Sequence, residues 1–502
     1  MSRNFTSSLV QLSPGPGLDI TVYLALEKKN TRQSQKIDTL KKYVKKYSSG
    51  WKKRLELADL LYAAGQWSEA ILEYKQVIQK QPQRIDLHIQ LGKILQLMFR
   101  EAEAIDSYQR AIAIAKHNAT TQHIKGLIAT CRHHKSDAIA AFQAATALAP
   151  QNPTHWLALG QVQMDIESPV AALASFEKLL SIEPDDLIGL IYSHDLLLSL
   201  GNLPEAQNRL NRAINIAPQE IQTLKRVITH RCRQRKVRDA AGKHTKQLIK
   251  TLLTQAPSSP EAHNLLAQYY ILRGEKSKGL QIVQSFAEGH AQNPQAWYYY
   301  GLCLSDLEQP ERAAEALFTA YELSRHNRCD REIYRALCQL LPILGETEQA
   351  CALINEMLEV FPECWSLWAT AGRVFVEHLK ENTLGCQYAR QGTHLQPQLA
   401  DAWFCQGRVL ALAEEYKAAI ESLTRGWQLL APDRQPLISA AAALWLGESY
   451  QKLGQHQTSK AWLQQARQRA QTLLEAHPQE ARYWQNKAIE ALSHPQISAI
   501  PP

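Results

Sequence analysis

The sequence predicts an all-α protein built as a right-handed superhelical solenoid of helix–turn–helix repeats, and three observations lead there. The same apolar and small residues return on a 34-residue ruler from residue 51 onward. Prolines recur where the second helix of each unit has to stop, at Pro82, Pro150, Pro184 and Pro218. No strand-rich segment interrupts this pattern. The length agrees. A chain of 502 residues exceeds what one core holds, about 250–300 residues. A repeat of this size is too small to fold alone, so each must bury its apolar face against its neighbours.

The elements follow in order. Residues 1–17 read as a loop around Pro14-Gly15-Pro16-Gly17, and 18–29 as a short helix. Residues 35–47 place Ile37, Leu40, Tyr43, Val44 and Tyr47 on one helical face and lysines on the other. The first unit carries Leu57-Ala58, Leu61, Gly65, Ala70 and Tyr74; the second carries Leu91-Gly92, Leu95, Ala104 and Tyr108. The third has Gly126, Ala138 and Phe142, the fourth Trp156, Leu159-Gly160, Ala172 and Phe176, and the fifth Leu190, Leu197, Gly201 and Ala206. Large apolar residues three and four apart make one stripe of a helix, and the Gly and Ala slots let two helices approach closely. Pro169, Pro204 and Pro310 fall between the two helices of a unit, where a missing N–H costs nothing. The unit beginning near 221 is irregular: Ala240 is on schedule but Pro257 arrives five residues late, which calls for a longer second helix or a short insertion. A change of superhelical curvature is expected near 221–260. Residues 482–492 read as a capping helix and Ser493 to Pro502 as a free tail.

These signs resemble the tetratricopeptide repeat, whose signature runs W-x-x-L-G-x-x-Y, then A-x-x-x-F, then P. Later units carry it at Trp297 to Gly301 with Ala313, at Trp368 to Gly372, and at Trp403 to Gly407 with Ala419. About twelve units cover residues 51–478. The resulting division is an extension with a basic amphipathic helix (1–50), an N-terminal array (51–220), an irregular basic repeat (221–259), a C-terminal array (260–478), and a capping helix with tail (479–502). The resemblance implies a scaffold or adaptor that binds a peptide or helix in a concave groove lined by the first helix of each unit. Mapped onto this chain, that face includes Lys93, Asp195, Gln268, Tyr298, Arg335, Arg373, Phe404 and Arg408. The Lys/Asn set with which some relatives hold a C-terminal carboxylate is not reproduced in three consecutive units. Arg335, Arg373 and Arg408 come from consecutive units and are the candidate contacts for an acidic peptide or helix.

Composition excludes several classes. With 45% hydrophobic and 21% charged residues the chain is neither disordered nor polytopic, and no stretch approaches 18 uncharged apolar residues. Nine cysteines without a C-x-x-C pair read as reduced thiols in a cytoplasmic protein. Cys131, His133 and His134 read as a polar inter-helix turn rather than a metal site. No G-x-S-x-G, P-loop, H-E-x-x-H or dinucleotide fingerprint is present, so no enzyme activity and no cofactor are expected. The net charge of +8 is uneven. Segments 27–54 (with Lys41, Lys42, Lys45 and Lys46) and 225–250 (with Arg231, Arg233, Arg235, Lys236 and Arg238) each carry +9, leaving the remainder acidic. Each segment is either a solvated face or a contact for an acidic protein, nucleic acid or anionic membrane surface, so the alternatives to a scaffold are a nucleic-acid-associated protein or an accessory subunit that positions a separate enzyme.

Overall fold

Each regular unit is a pair of antiparallel helices, the first of 13 residues and the second of 14 in most cases. A computed structural model describes residues 31–493 apart from 48–49, 64–65, 99, 116–117, 326–329, 432–433, 435 and 475–476. The expected short helix at 18–29 and the tail beyond Ser493 lie outside the described residues. Helix α1 (Thr31–Lys46) comes first. The early pairs are α2/α3 (Trp51–Ala63, Trp67–Lys80), α4/α5 (Ile85–Leu97, Glu101–Ile114), α6/α7 (Asn118–Cys131, Lys135–Leu148) and α8/α9 (Pro153–Asp165, Pro169–Ile182). Next come α10/α11 (Leu187–Ser199, Leu203–Ile216), α12/α13 (Ile221–Arg233, Asp239–Gln255), α14/α15 (Pro260–Leu272, Lys276–Gly289) and α16/α17 (Pro294–Asp306, Pro310–Ser324). The last are α18/α19 (Arg331–Leu340, Thr347–Val360), α20/α21 (Trp365–Glu377, Asn382–Leu395), α22/α23 (Ala400–Leu412, Tyr416–Leu429) and α24/α25 (Ile438–Lys452, His456–Leu473). Helix α26 (Pro478–Ser493) follows, and the described residues contain no strand.

The periodic small residues do the packing that their spacing implies. Ala70, Ala104, Ala138, Ala172 and Ala206 are all within 1% of fully buried. Glycines of the first helix face a large side chain sixteen positions on: Gly126 meets Phe142, Gly160 meets Phe176, and Gly301 meets Leu317. A Cβ on Gly160 would sit 2.8 Å from the Phe176 ring, so the helices could not close to their present distance. The recurrent tryptophans bridge units. Trp156, Trp297, Trp368 and Trp403 each donate their indole N–H to a backbone carbonyl six residues earlier, at Pro150, Ala291, Pro362 and Pro397, over 2.8–3.0 Å. The slot therefore binds a first helix to the end of the preceding unit.

Turns within units share one device. Among the described residues, the one closing the first helix is left-handed in ten turns, at glycines 201, 274, 345 and 454 but also at His133 (φ 58°), Glu167 (φ 53°), Arg235 (φ 53°) and Lys380 (φ 62°) among others. Prolines 153, 169, 260, 294 and 310 occupy first helical positions. The irregular unit has a five-residue turn, 234–238, where its neighbours have three, and its α13 runs 17 residues instead of 14. Two residues in the turn and three in the helix account for the late proline. Helix α1 covers the first pair with Ile37, Leu40 and Val44, while Tyr43 and Tyr47 are 42% and 47% exposed, a split of the expected five-residue apolar face. Its buried residues belong to the same core as Leu57 and Leu61.

Distant units meet. Leu203, opening α11, packs against Ala440, Ala470, Leu473 and Ala481. The turn before α9 touches α18 and α20 across 166–199 residues of sequence. The superhelix thus folds back on itself around an interior channel.

We expect Gly126→Val to lower the urea midpoint, since overpacking a buried contact costs about 1–3 kcal/mol. Adding Phe142→Ala should cost less in the Gly126→Val background than in the wild type. Additive losses would contradict the close approach.

Candidate functional site

The channel has a volume of ≈ 1440 Å³ and is lined by the first helix of successive units from α4 to α24, then by α26. First helices supply most of the lining, polar and apolar side chains alike, and second helices add few residues, among them Phe142, Pro169 and Lys276. Lys93 stands at one end, Gln268 midway, and Arg373 and Arg408 toward the other end.

Behind Lys93, His123 and His155 pack ring on ring, with their Nδ1 atoms 3.2 Å apart. Burial first, then the charge of Lys93, pushes His123 down to about 3, and burial lowers His155 as well. Farther in, Asp195 accepts from Arg226 at 2.8 and 3.2 Å, and the nearly inaccessible Lys225 pairs with Glu261 at 2.9 Å. Tyr298 is buried beside Glu332 and Asp330; burial raises its phenol well above the ordinary range. On the C-terminal wall, Asp401 is pushed up to about 7 by burial.

The arginine trio is divided by its surroundings. Arg335 is 4% exposed and donates to both Glu332 oxygens (2.9 and 2.8 Å), to Glu167 (3.4 Å) and to the Ser366 hydroxyl (2.6 Å). It is an interior structural cation. Arg373 faces the channel and pairs with Glu377 one helical turn away at 2.9 Å. Arg408 lies over the Trp445 ring and 3.9 Å from Glu448. Phe404, mapped to the groove by its slot, is fully buried against Trp427 and Gly426 and belongs to the inter-helix core. A Trp-to-Gly slot alternates lumen and core every residue or two, and Phe404 falls on the core side.

The basic segments divide as well. Arg231 donates to the Thr245 hydroxyl and the Ala241 carbonyl and so holds the turn into α13. Arg233 and Arg235 line the channel. Lys236 and Arg238 are exposed on the outside, as are Lys243 and Lys250 on α13. Of the α1 lysines, Lys41 pairs with Glu69 at 2.6 Å, Lys42 and Lys45 are exposed, and Lys46 approaches the Tyr47 ring. His133 sits 3.1 Å from Glu101, and no group of three or more His, Cys, Asp or Glu is arranged for a metal among the described residues.

Glu167 was not anticipated as a key residue. It closes the turn between α8 and α9, yet its carboxylate reaches the next superhelical turn. One oxygen faces Arg335 (3.4 Å) and Arg331 (3.6 Å); the other accepts the Ser366 backbone N–H at 3.1 Å. The neighbouring Asp165 carbonyl accepts from Arg331 at 3.3 Å and from Lys135 at 3.1 Å. Burial pushes the Glu167 carboxyl up, but the two guanidiniums and the Ser366 bonds outweigh it and hold it below the usual carboxylate range. The sequence did not single it out, since Glu308 and Glu414 hold the same left-handed slot in other units.

Comparison with known proteins fits this architecture. Tetratricopeptide-repeat profiles match residues 58–98, 85–118 and 132–186, and a profile described as anaphase-promoting complex, cyclosome, subunit 3 matches residues 245–320. The chain is a tetratricopeptide-repeat protein. Among solved structures, the APC/C hetero-tetramer Cut9–Hcn1 aligns with a TM-score of 0.48 at 14% identity, over 93% of this chain and 94% of that one. Yeast Tom70 aligns with a TM-score of 0.43 at 12% identity, over 81% of this chain and 96% of that one. No curated protein sequence matches significantly. Among the described residues no helix is long and apolar enough to cross a membrane.

Glu167→Gln leaves two buried guanidiniums short of a counter-ion, a loss of about 3–5 kcal/mol. We expect an increased radius of gyration by small-angle scattering at pH 7. In the wild type, a carboxyl titrating below its unfolded value of about 4.3 keeps its full contribution above that pH. The radius should therefore hold from pH 8 to 5 and grow only as the pH falls further through the folded pKa. A wild-type expansion between pH 7 and 5 would contradict this assignment.

Proposed function

We propose that the protein is a non-enzymatic interaction scaffold that receives an extended or helical segment of a protein partner in its superhelical channel. The observation that carries this reading is the lining: first helices of successive units present one continuous wall, of polar and apolar side chains interleaved, from Lys93 to Arg408. An acidic segment suits the C-terminal part. Arg373 and Arg408 are half-exposed, and their partners Glu377 and Glu448 sit on the same or the next first helix, where an incoming carboxylate can replace them. Arg335 takes no part, because its guanidinium is enclosed and already charge-paired with Glu332 and Glu167. The eight described cysteines are unpaired, which suits a reducing compartment such as the cytoplasm.

A second reading rests on the outer surface. Lys236, Lys243 and Lys250 are exposed, with no carboxylate within ion-pair distance among the described residues, and could meet nucleic acid or an anionic membrane. Titration with generic RNA at low and high salt decides it: no binding at low salt removes the nucleic-acid form.

For the main reading, a photocrosslinking residue in place of Gln268 or Asn264 should capture the partner, and one in place of outward-facing Leu148 should not. Charge reversal at Arg373 and Arg408 together should weaken an acidic partner at least about tenfold. Crosslinks confined to the Leu148 position would sink the channel reading.

A further inference from the structure

The channel holds one cluster that the ion pairs above leave uncompensated. Arg233, at the end of α12, has no hydrogen bond or ion pair to any described residue, although it lines the channel and burial lowers its pKa. Asp195 and Glu480 act on it only at a distance. His230, one turn earlier on α12, and His477, just before α26, also line the channel, and neither ring meets a protein partner among the described residues. His194 on α10 completes the group. Its Nδ1 bonds to the Ala206 carbonyl at 2.8 Å, which places that proton and leaves Nε2 at 3.9 Å from Asp195.

We propose that Arg233, His230 and His477, with His194 beside them, form an oxyanion-binding site in the channel wall, for a phosphate or carboxylate group. The site is composite: α10 and α12 meet the entry to α26 only because the superhelix folds back, the same closure that seats Leu203 on Ala470 and Leu473. Two of the neighbouring lumen cations are already matched, and Arg235 is solvent-exposed. Arg226 is held by Asp195 and Lys225 by Glu261, so neither competes for the ligand nor quenches the cluster. Arginine supplies a permanent charge and a planar fork, and the imidazoles add donors as they protonate.

The electrostatics give the site a pH signature. His230 is pushed down to about 4 by burial and by His194, Lys236, Arg233 and Arg231; His477 reaches about 4 through burial, Arg233 and His230. Glu480, in the first turn of α26, and Asp195 are the nearby acids. A bound anion favours the protonated rings, so binding takes up protons and affinity rises as pH falls. The site stands whether or not a protein segment enters the channel.

The test is calorimetric titration of the full chain at constant ionic strength with sulfate, which keeps its charge from pH 8 to 5, and separately with acetate. We expect one saturable site for at least one of the two, tightening as pH drops from 7 to 5, toward the free rings' value of about 4. Sulfate alone identifies a phosphate-type ligand, and acetate alone a carboxylate. Arg233→Gln should weaken binding about tenfold, and Arg233→Lys less. His477→Gln should flatten the pH dependence, and Lys178→Gln, at an exposed position of α9 that does not line the channel, should change nothing. The proposal is overturned by no saturable binding of either anion, by undiminished binding in Arg233→Gln, or by an equal loss in Lys178→Gln. Should Arg233→Gln fail to fold, the His477→Gln pH profile decides alone, and an unchanged slope rejects the site.

Discussion

A carboxylate buried at the tip of one turn, Glu167, faces Arg331 and Arg335 on a helix more than 160 residues later. Taking such charges out of water is expensive, and the arrangement persists only because every charge has a partner: Glu332 backs Arg335, the Asp165 carbonyl backs Arg331, and Ser366 supplies both an N–H and a hydroxyl. Its backbone is left-handed at φ 53°, which aims the side chain away from its own helix pair. Nearest-neighbour stacking alone would give an open spiral. This contact, together with the packing of Leu203 against the Ala440, Ala470, Leu473 and Ala481 cluster, joins successive superhelical turns around the channel.

Within a unit, the rules are local and legible. Gly160 against Phe176, the buried Ala172 and the prolines at first helical positions are all set by spacing inside 34 residues, so the sequence carries them openly. The irregular repeat was visible as a late proline, and its long turn and long α13 give the cause. The left-handed turns were only partly visible: four are glycines, while six are residues that ordinarily avoid that conformation.

Between superhelical turns, the sequence is silent, because partners such as Glu167 and Arg335 share no periodicity. That is why Arg335 reads from sequence as an available arginine and proves to be an enclosed one. Charge runs mislead in the same way. The basic segment 225–250 suggests one surface, yet Arg226 and Arg233 face the lumen, Arg231 ties a turn, and Lys243 and Lys250 face outward. A helix hairpin distributes consecutive charges onto opposite sides of the wall. Phe404 shows the converse, a residue at a lumen-like register that packs wholly within its pair.

The closed turn is the claim on which channel and anion site both depend. Pulsed dipolar spectroscopy between genetically encoded spin labels at Asp137 and Glu363 measures it, since these exposed and half-exposed positions lie beside the Lys135–Asp165 and Cys364–Asp165 contacts. The account predicts one narrow distance distribution in the wild type and a longer, broad one in Glu167→Ala. Equally broad distributions in both proteins would contradict it.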